Sequence, residues 1–149
     1  MEVLKNYING SWRESKEQET IDVVNPANQE VLVKVPYGVK TVVDAEDAVA
    51  AASEALKEWR NTPVMRRVQP LYKLKQLIEE NTAEIAKLIT LECGKSYPES
   101  VAEMQRGIEN IETACATPTL MQSEFSENIA TGIDEFMIRQ PIGVSACIS

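Results

Sequence analysis

The chain has 149 residues, of which 44% are hydrophobic and 26% are charged, and its formal net charge is −8. This apolar fraction is too high for a disordered chain, and the length suits one domain with a sizeable core. An acidic balance without a basic run argues against a nucleic-acid partner, and no apolar stretch approaches the roughly 20 residues of a membrane helix. Because the first residues lack the features of a secretory signal, we expect a cytoplasmic protein.

Two features of the composition limit the chemistry. The chain has no histidine, which removes Ser-His and Cys-His dyads and the commonest zinc ligand. Its three cysteines, Cys93, Cys115 and Cys147, are odd in number and far apart, so the sequence predicts neither a metal site nor a disulfide framework. We expect a structural role for Cys93, because a helix C-terminus disfavours the thiolate, and a core position for Cys115 on an apolar stripe.

Short strands and turns are predicted for the first forty residues. Asn9-Gly10 is a turn signal between two short strands, the second of which starts near Trp12. The β-branched runs 20–24 and 30–35 are separated by a Pro- and Asn-containing turn at 25–28. Alternation in the second run predicts a small antiparallel sheet with one buried face.

A helical period replaces the strand pattern from about residue 42. Apolar residues at helical spacing predict a first amphipathic helix over 42–59. Thr62-Pro63 is typical of the start of a second helix, in which Leu74 faces inward. Pro70 lacks the backbone donor of a helix interior, so we expect a kink or a fresh start there.

Two capping-box patterns predict two further helices. The pattern at 81–84 predicts the start of a third helix, with Leu88 inward and Gly94 as its stop, and the pattern at 96–99 starts a fourth. The fourth helix carries an apolar stripe: Val101, Met104, Ile108, Ile111 and Cys115.

The last thirty residues return to a strand pattern. Residues 133–138 read as a strand without a predicted neighbour, and 141–149 as a turn entering a second apolar strand. An unpaired strand edge recruits other chains, and we expect the apolar residues of the second strand to be partly exposed. The sequence therefore predicts oligomers or aggregates.

Four motifs occur in the order and spacing of a known superfamily: Tyr7-Ile8-Asn9-Gly10-x-Trp12, Val24-Asn25-Pro26-Ala27 followed by Glu30-Val31, Leu91-Glu92-x-Gly94-Lys95 and Pro141-Ile142-Gly143-Val144. Over its whole length the chain resembles the N-terminal portion of aldehyde dehydrogenases. One further segment, Arg106-Gly107-Ile108-Glu109-Asn110-Ile111-Glu112, is similar to the methylmalonate-semialdehyde dehydrogenase branch. That branch contains CoA-acylating enzymes of valine, pyrimidine and inositol breakdown.

The resemblance implies an incomplete α/β fold with small antiparallel strands and four helices. Residues 1–124 would form the N-terminal strands and helices of the cofactor-binding domain, 125–140 the first part of an oligomerisation ribbon, and 141–149 the start of the first Rossmann strand. The family's Pro-x-Asn-x-Pro segment, catalytic cysteine, general-base glutamate and cofactor lysine have no counterpart in the chain. We therefore expect no catalytic residue within it.

In function, the resemblance implies part of an NAD-dependent, CoA-acylating (methyl)malonate-semialdehyde dehydrogenase that assembles as a homotetramer through the ribbon. NAD and CoA are the cofactors of the full-length family, and we expect neither to bind this chain alone, nor the chain alone to be active. The alternatives are another aldehyde dehydrogenase branch, a non-catalytic truncated paralogue that binds full-length subunits, and a product without function. The chain also departs from the family pattern at Cys93, where asparagine is common, and the departures at Pro70 and Cys147 are hints of the last alternative.

Two positions carry site assignments by resemblance. Arg106 matches the arginine that grips the distal carboxylate of the substrate, a task suited to a planar bidentate donor. It lies about 180° around the helix from the apolar stripe, and the alternative is a surface arginine paired with Glu103 or Glu109. Ser149 matches the position where the main chain touches the nicotinamide ribose. The sequence contains no Gly-x-Gly-x-x-Gly phosphate loop.

Overall fold

A computed structural model describes residues 2–37 and 42–148. The elements in chain order are β1 (Asn6–Ile8), β2 (Ser11–Arg13), β3 (Thr20–Val24), β4 (Val31–Pro36), α1 (Val42–Trp59), α2 (Val64–Arg67), α3 (Gln69–Cys93), α4 (Tyr97–Cys115), α5 (Thr117–Leu120), β5 (Phe125–Ala130) and β6 (Ile133–Phe136). The strands form three separate antiparallel pairs, β1–β2, β3–β4 and β5–β6. The predicted class, α/β with small antiparallel strands, is confirmed. None of the helices in the described ranges has the length and apolarity to cross a membrane.

The first hairpin follows directly from its turn residues. Asn9 and Gly10 have φ angles of 51° and 74°, which are the left-handed conformations of a two-residue type I′ turn. The turn sets the register in which Tyr7 lies opposite Trp12, and the centroids of these two rings are 5.0 Å apart. The predicted turn is confirmed.

The second hairpin, β3–β4, turns around a buried asparagine. Asn25 is 6% exposed, and its side-chain oxygen accepts a hydrogen bond of 2.9 Å from the backbone N–H of Ala27. Its main chain bonds across the turn to Gln29 and Glu30. The strands of this hairpin are confirmed, but every residue of β4 is partly buried, so the expectation of one buried face was wrong.

The helical region begins as predicted. Helix α1 covers Val42–Trp59, and the short helix α2 follows the predicted start at Thr62-Pro63. Pro70 lies in the first turn of α3, where the missing backbone donor has no helical acceptor to lose. The fresh start at this proline is confirmed.

The predicted start of a third helix at 81–84 was wrong, because α3 runs unbroken to Cys93. The Asn81 side-chain amide donates to the Leu77 carbonyl at 2.7 Å, and the Thr82 hydroxyl donates to the Ile78 carbonyl at 2.8 Å. These side chains bond to the preceding helical turn instead of capping a new helix. A capping pattern forms a cap only where the backbone leaves the helix.

The main core lies between α3 and α4. Ala86 of α3 and Ile108 of α4 are 0% and 5% exposed, and Cys115 is buried as predicted. In contrast, Leu74 and Leu88, which we expected to face inward, are 43% and 52% exposed. They lie outside the arc of α3 that packs on α4, so α3 carries apolar side chains on two faces.

The last hairpin corrects the prediction of an unpaired strand. Strand β6 ends at Phe136 and pairs with β5, a strand that the sequence analysis missed. All residues of both strands are exposed. Within the described residues no strand forms over 141–148, because a strand needs a neighbour to accept and donate its backbone hydrogen bonds. Ile142 and Ile148 are 98% and 97% exposed, as expected.

Candidate functional site

The candidate site is a depression of about 500 Å³ at the N-terminal half of α4. Its lining residues are Lys95, Glu99, Ala102, Glu103 and Arg106. Arg106 is exposed and Ile108 is buried, which agrees with the predicted placement of the arginine away from the core. The structure thus puts the main sequence-derived candidate in a concave surface rather than on a flat one.

The backbone around the depression is set by the junction between α3 and α4. Gly94 ends α3 in the left-handed conformation, with a φ angle of 68°, and confirms the predicted helix stop. Ser96 then precedes α4, and the Glu99 carboxylate accepts hydrogen bonds from the Ser96 backbone N–H at 3.0 Å and from its hydroxyl at 2.7 Å. These bonds, first that of the hydroxyl, hold the pKa of Glu99 below its ordinary value. Glu99 is therefore an ionised, partnered carboxylate.

The second carboxylate of the depression also has a partner. Lys95 forms an ion pair and hydrogen bond with Glu103, and this bond raises the pKa of the Lys95 ammonium above its ordinary value. Among the described residues Arg106 forms no ion pair within 4.0 Å, so the alternative pairing with Glu103 or Glu109 is not formed. The guanidinium is the cation of the depression that remains available.

This arrangement suits binding rather than bond-making. A guanidinium presents a fork of N–H donors that matches a carboxylate or phosphate oxygen pair. Lys95 is held protonated by Glu103 and is therefore a poor nucleophile, and both carboxylates are engaged as acceptors. We conclude that the depression can hold a small anion at Arg106.

The other candidates lie elsewhere. Cys93 is exposed at the end of α3, Cys115 is buried at the end of α4, and Cys147 is exposed near the C-terminus. Ser149 lies outside the described residues. No group of three or more acidic or cysteine side chains in the described ranges is placed to hold a metal ion.

Sequence reasoning missed Lys95 as a member of the site. Glu99 carries a local signal, since it is the last residue of a capping box, and the resemblance identified Arg106. The pair Lys95–Glu103 is separated by eight residues that cross a helix start, a spacing with no local rule.

Comparison with known proteins assigns the family. The family model described as the aldehyde dehydrogenase family matches residues 12–149. The chain belongs to the aldehyde dehydrogenase family. The resemblance and the fold class derived from the sequence are therefore confirmed.

Several similar proteins within this family are named malonate-semialdehyde dehydrogenases. The chain is 48% identical over 149 residues to malonate-semialdehyde dehydrogenase 2 of Bacillus mycoides (strain KBAB4), covering all of this chain and 30% of that protein. It is 51% identical over 144 residues to malonate-semialdehyde dehydrogenase 1 of Geobacillus thermodenitrificans (strain NG80-2), covering 97% of this chain and 29% of that protein. The chain thus spans less than a third of the length of these relatives.

Two solved structures have the same fold over nearly the whole chain. A methylmalonate-semialdehyde dehydrogenase from Oceanimonas doudoroffii is 37% identical with a TM-score of 0.85, and covers 95% of this chain and 28% of its own. A putative methylmalonate-semialdehyde dehydrogenase from Sinorhizobium meliloti 1021, solved in complex with NAD, is 32% identical with a TM-score of 0.87. That match covers 96% of this chain and 29% of the solved one.

Proposed function

We propose that this chain is the N-terminal part of an NAD-dependent malonate- or methylmalonate-semialdehyde dehydrogenase that delivers its acyl product to CoA. The observation that carries the proposal is the likeness of the whole chain, in sequence and in fold, to semialdehyde dehydrogenases. When bound to the whole enzyme, NAD would supply the acceptor for the hydride and CoA the acceptor for the acyl group, and the nucleophilic cysteine that the resemblance implies has no counterpart in this chain. The proposed role of this chain within the enzyme is to bind and orient the substrate.

Arg106 is the residue proposed to bind the substrate. A semialdehyde of this class carries a carboxylate at the end opposite the aldehyde, and the unpaired guanidinium can hold both of its oxygens. Such a contact orients the aldehyde and separates this substrate from aldehydes without a carboxylate. Hydrogen bonds to charged groups are worth about 1.5–3 kcal/mol each, which is enough to set such a preference.

The described residues of this chain offer less for binding NAD than Arg106 offers for binding a carboxylate. The chain has no glycine-rich loop to cradle a pyrophosphate, and the proposed ribose contact at Ser149 lies outside the described residues. We therefore propose that the chain alone binds neither NAD nor CoA and is inactive. NADH formation by the pure 149-residue protein would contradict this.

The hairpin β5–β6 is the proposed contact with a second copy. Both of its faces are exposed, and it carries Phe125, Ile129, Ile133 and Phe136 at 54–66% exposure. Exposed strands with apolar side chains recruit other strands. The alternative of a non-catalytic paralogue that binds full-length subunits rested on an unpaired strand at 133–138. Because β6 is paired with β5, that support is lost, and the alternative remains only as one outcome of the experiment on the whole enzyme.

The test uses a hybrid polypeptide in which residues 1–149 replace the matching part of the Bacillus mycoides relative. We expect NAD- and CoA-dependent oxidation of malonate semialdehyde. In the hybrid, Arg106→Gln should raise KM for this substrate about 10- to 100-fold, the loss expected for hydrogen bonds to a charged group. The same variant should leave KM for propanal nearly unchanged. A hybrid that folds and oxidises propanal but not malonate semialdehyde would overturn the proposed substrate. A hybrid that binds full-length subunits without turnover would support the non-catalytic paralogue.

A further inference from the structure

We infer that Lys95 is a positioning residue for Arg106, because it holds the Glu103 carboxylate away from the guanidinium. The inference rests on the proposed function of Arg106 as the carboxylate-binding residue. It assigns a role to a lysine that makes no contact with the substrate in the proposal.

The need for such a residue follows from the spacing on α4. Glu103 and Arg106 are three residues apart, so their side chains are neighbours on the helix surface. The acid lies N-terminal to the base, which is the more favourable order for an ion pair within a helix. Glu109 lies three residues after Arg106, in the less favourable order, and forms no ion pair with it in the described chain. Without a competitor, Glu103 is thus the preferred helical partner of Arg106, and an arginine held this way offers less of its charge to a substrate.

Lys95, which lies outside the helix, binds Glu103 and so keeps it from Arg106. It lies in the turn that precedes α4, and its ammonium bonds to the Glu103 carboxylate across the first turns of the helix. The lysine side chain is 33% exposed and the glutamate side chain 55% exposed, so the pair is accessible to solvent and exchangeable. The Glu103 carboxylate, through its hydrogen bond first, and the Glu99 carboxylate raise the pKa of the ammonium and keep it protonated.

Glu99, the other acid that lines the depression, is also engaged by a neighbouring residue. Glu99 accepts two hydrogen bonds from Ser96, one from its backbone and one from its hydroxyl. Both acids that line the depression therefore have partners within the turn at 95–96. The result is a neutral cluster of two acids and two bases in which Arg106 is the base left for a ligand.

A first experiment tests the capture directly on the 149-residue chain. The Nε–H signal of Arg106 is followed by NMR in the parent, in Lys95→Met and in Lys95→Met combined with Glu103→Gln. We expect a shift and slower solvent exchange in the single variant, as Glu103 pairs with Arg106, and a return to the parental signal in the double variant. An unchanged Arg106 signal in Lys95→Met overturns the inference.

A second experiment uses the hybrid enzyme. Because exposed ion pairs are worth up to about 1 kcal/mol, Lys95→Met should raise KM for malonate semialdehyde about two- to fivefold and leave kcat unchanged. Adding Glu103→Gln should restore KM, and Lys95→Arg should preserve it. The matched control is Lys75→Met, which removes a half-buried lysine that pairs with Glu79 and Glu112 and does not line the depression; it should leave KM unchanged.

The outcomes separate the inference from the proposed function. If Lys95 is merely structural, the loss in Lys95→Met is not rescued by Glu103→Gln, and the inference fails while the substrate stands. If the parent hybrid does not oxidise the semialdehyde, the proposed function fails, and the NMR comparison still decides whether Lys95 keeps Glu103 from Arg106.

Discussion

At the scale of single residues, Gly94 joins two motifs that are far apart in the sequence. A Cβ atom at this position would lie 2.9 Å from Cγ of Pro26 and 3.1 Å from the backbone nitrogen of Ala27. The Val24-Asn25-Pro26-Ala27 turn therefore packs directly on the end of α3. The helix stop at Gly94 is predictable from the sequence, but this close approach is not, since it depends on where the second hairpin folds back.

Gly94→Ala should destabilise the chain. A non-glycine residue with a φ angle of 68° costs about 1–3 kcal/mol, and contact with Pro26 adds to that. The matched control is Gly107→Ala, in the interior of α4, where an added Cβ meets nothing within 4 Å. That variant should stabilise by about 0.5–1 kcal/mol. Urea unfolding followed by circular dichroism measures both, and equal effects of the two substitutions would contradict the prediction.

A second residue-scale prediction concerns pH. Asp44 accepts hydrogen bonds from the Ser15 hydroxyl, from the Asn6 amide at 3.0 Å and from the Lys16 backbone N–H at 3.4 Å. These bonds, first that of Ser15, hold the pKa of Asp44 below its ordinary value and tie α1 to the first hairpin. A lowered pKa in the folded state contributes stability above the unfolded value, and this contribution is lost as the pH falls through the folded value.

We therefore expect the chain to lose stability below about pH 4, the ordinary pKa of an aspartate. Asp44→Asn should lower the urea midpoint at pH 7 and flatten its dependence on pH in the acid range. Part of the slope should remain, because the pKa of Glu99 is also lowered. Parallel pH profiles for the parent and the variant would show that Asp44 does not contribute.

The candidate site was predictable from the sequence only in part. The position of Arg106 follows from a motif and its direction from helical periodicity, and the bond between Ser96 and Glu99 follows from a capping box. The pair of Lys95 with Glu103 had no such signal, because its geometry depends on the direction in which the chain leaves Gly94.

At the scale of elements, local patterns predicted the existence of helices better than their boundaries. The fresh start at Pro70 is a property of one residue type, and it was predictable. The continuity of α3 through residues 81–84 is not local, since the packing of α3 on α4 extends across that stretch. Strand β5 was missed for a related reason: its residues, Phe125–Ala130, carry little β-branched signal and are defined by pairing with β6.

The packing between α3 and α4 should contribute strongly to the free energy of unfolding. Ile108 is 5% exposed, and truncating a buried isoleucine to alanine costs about 2–5 kcal/mol through lost burial and a residual cavity. Ile108→Ala should lower the free energy of unfolding by an amount in this range. The same substitution at Ile142, which is 98% exposed, should leave it unchanged within about 0.5 kcal/mol. Urea unfolding of the two variants against the parent provides the comparison, and an equal loss in both would contradict it.

At the scale of the whole molecule, the exposed surface is too large for a compact monomer. The accessible area is 11582 Å² for a mass of 16.6 kDa. A compact monomer of that mass exposes about 7,600 Å², so the excess is about 4,000 Å². One partner in a large obligate interface contributes about 2,500 Å². The excess is larger than the area that one partner contributes to such an interface.

The hairpin β5–β6 gives this excess a testable location. Phe125 and Phe136 are cross-strand partners at 65% and 66% exposure, and both faces of the hairpin are open. Because exposed apolar strands associate, the chain should show concentration-dependent oligomers by light scattering. Phe125→Gln combined with Phe136→Gln should reduce this association and leave the helical circular dichroism signal unchanged.

The control for the hairpin variant is Trp12→Gln in the first hairpin, a residue that is 70% exposed and equally aromatic. Trp12 packs on Tyr7 with ring centroids 5.0 Å apart, and its hairpin has strands of only three residues, a shorter edge than that of β5–β6. Its loss should therefore leave association unchanged. Equal loss of association in both variants would mean that exposed aromatic area, and not the β5–β6 hairpin, drives self-association. A parent chain that stays strictly monomeric at high concentration would remove the basis for assigning the hairpin to contact with a second copy.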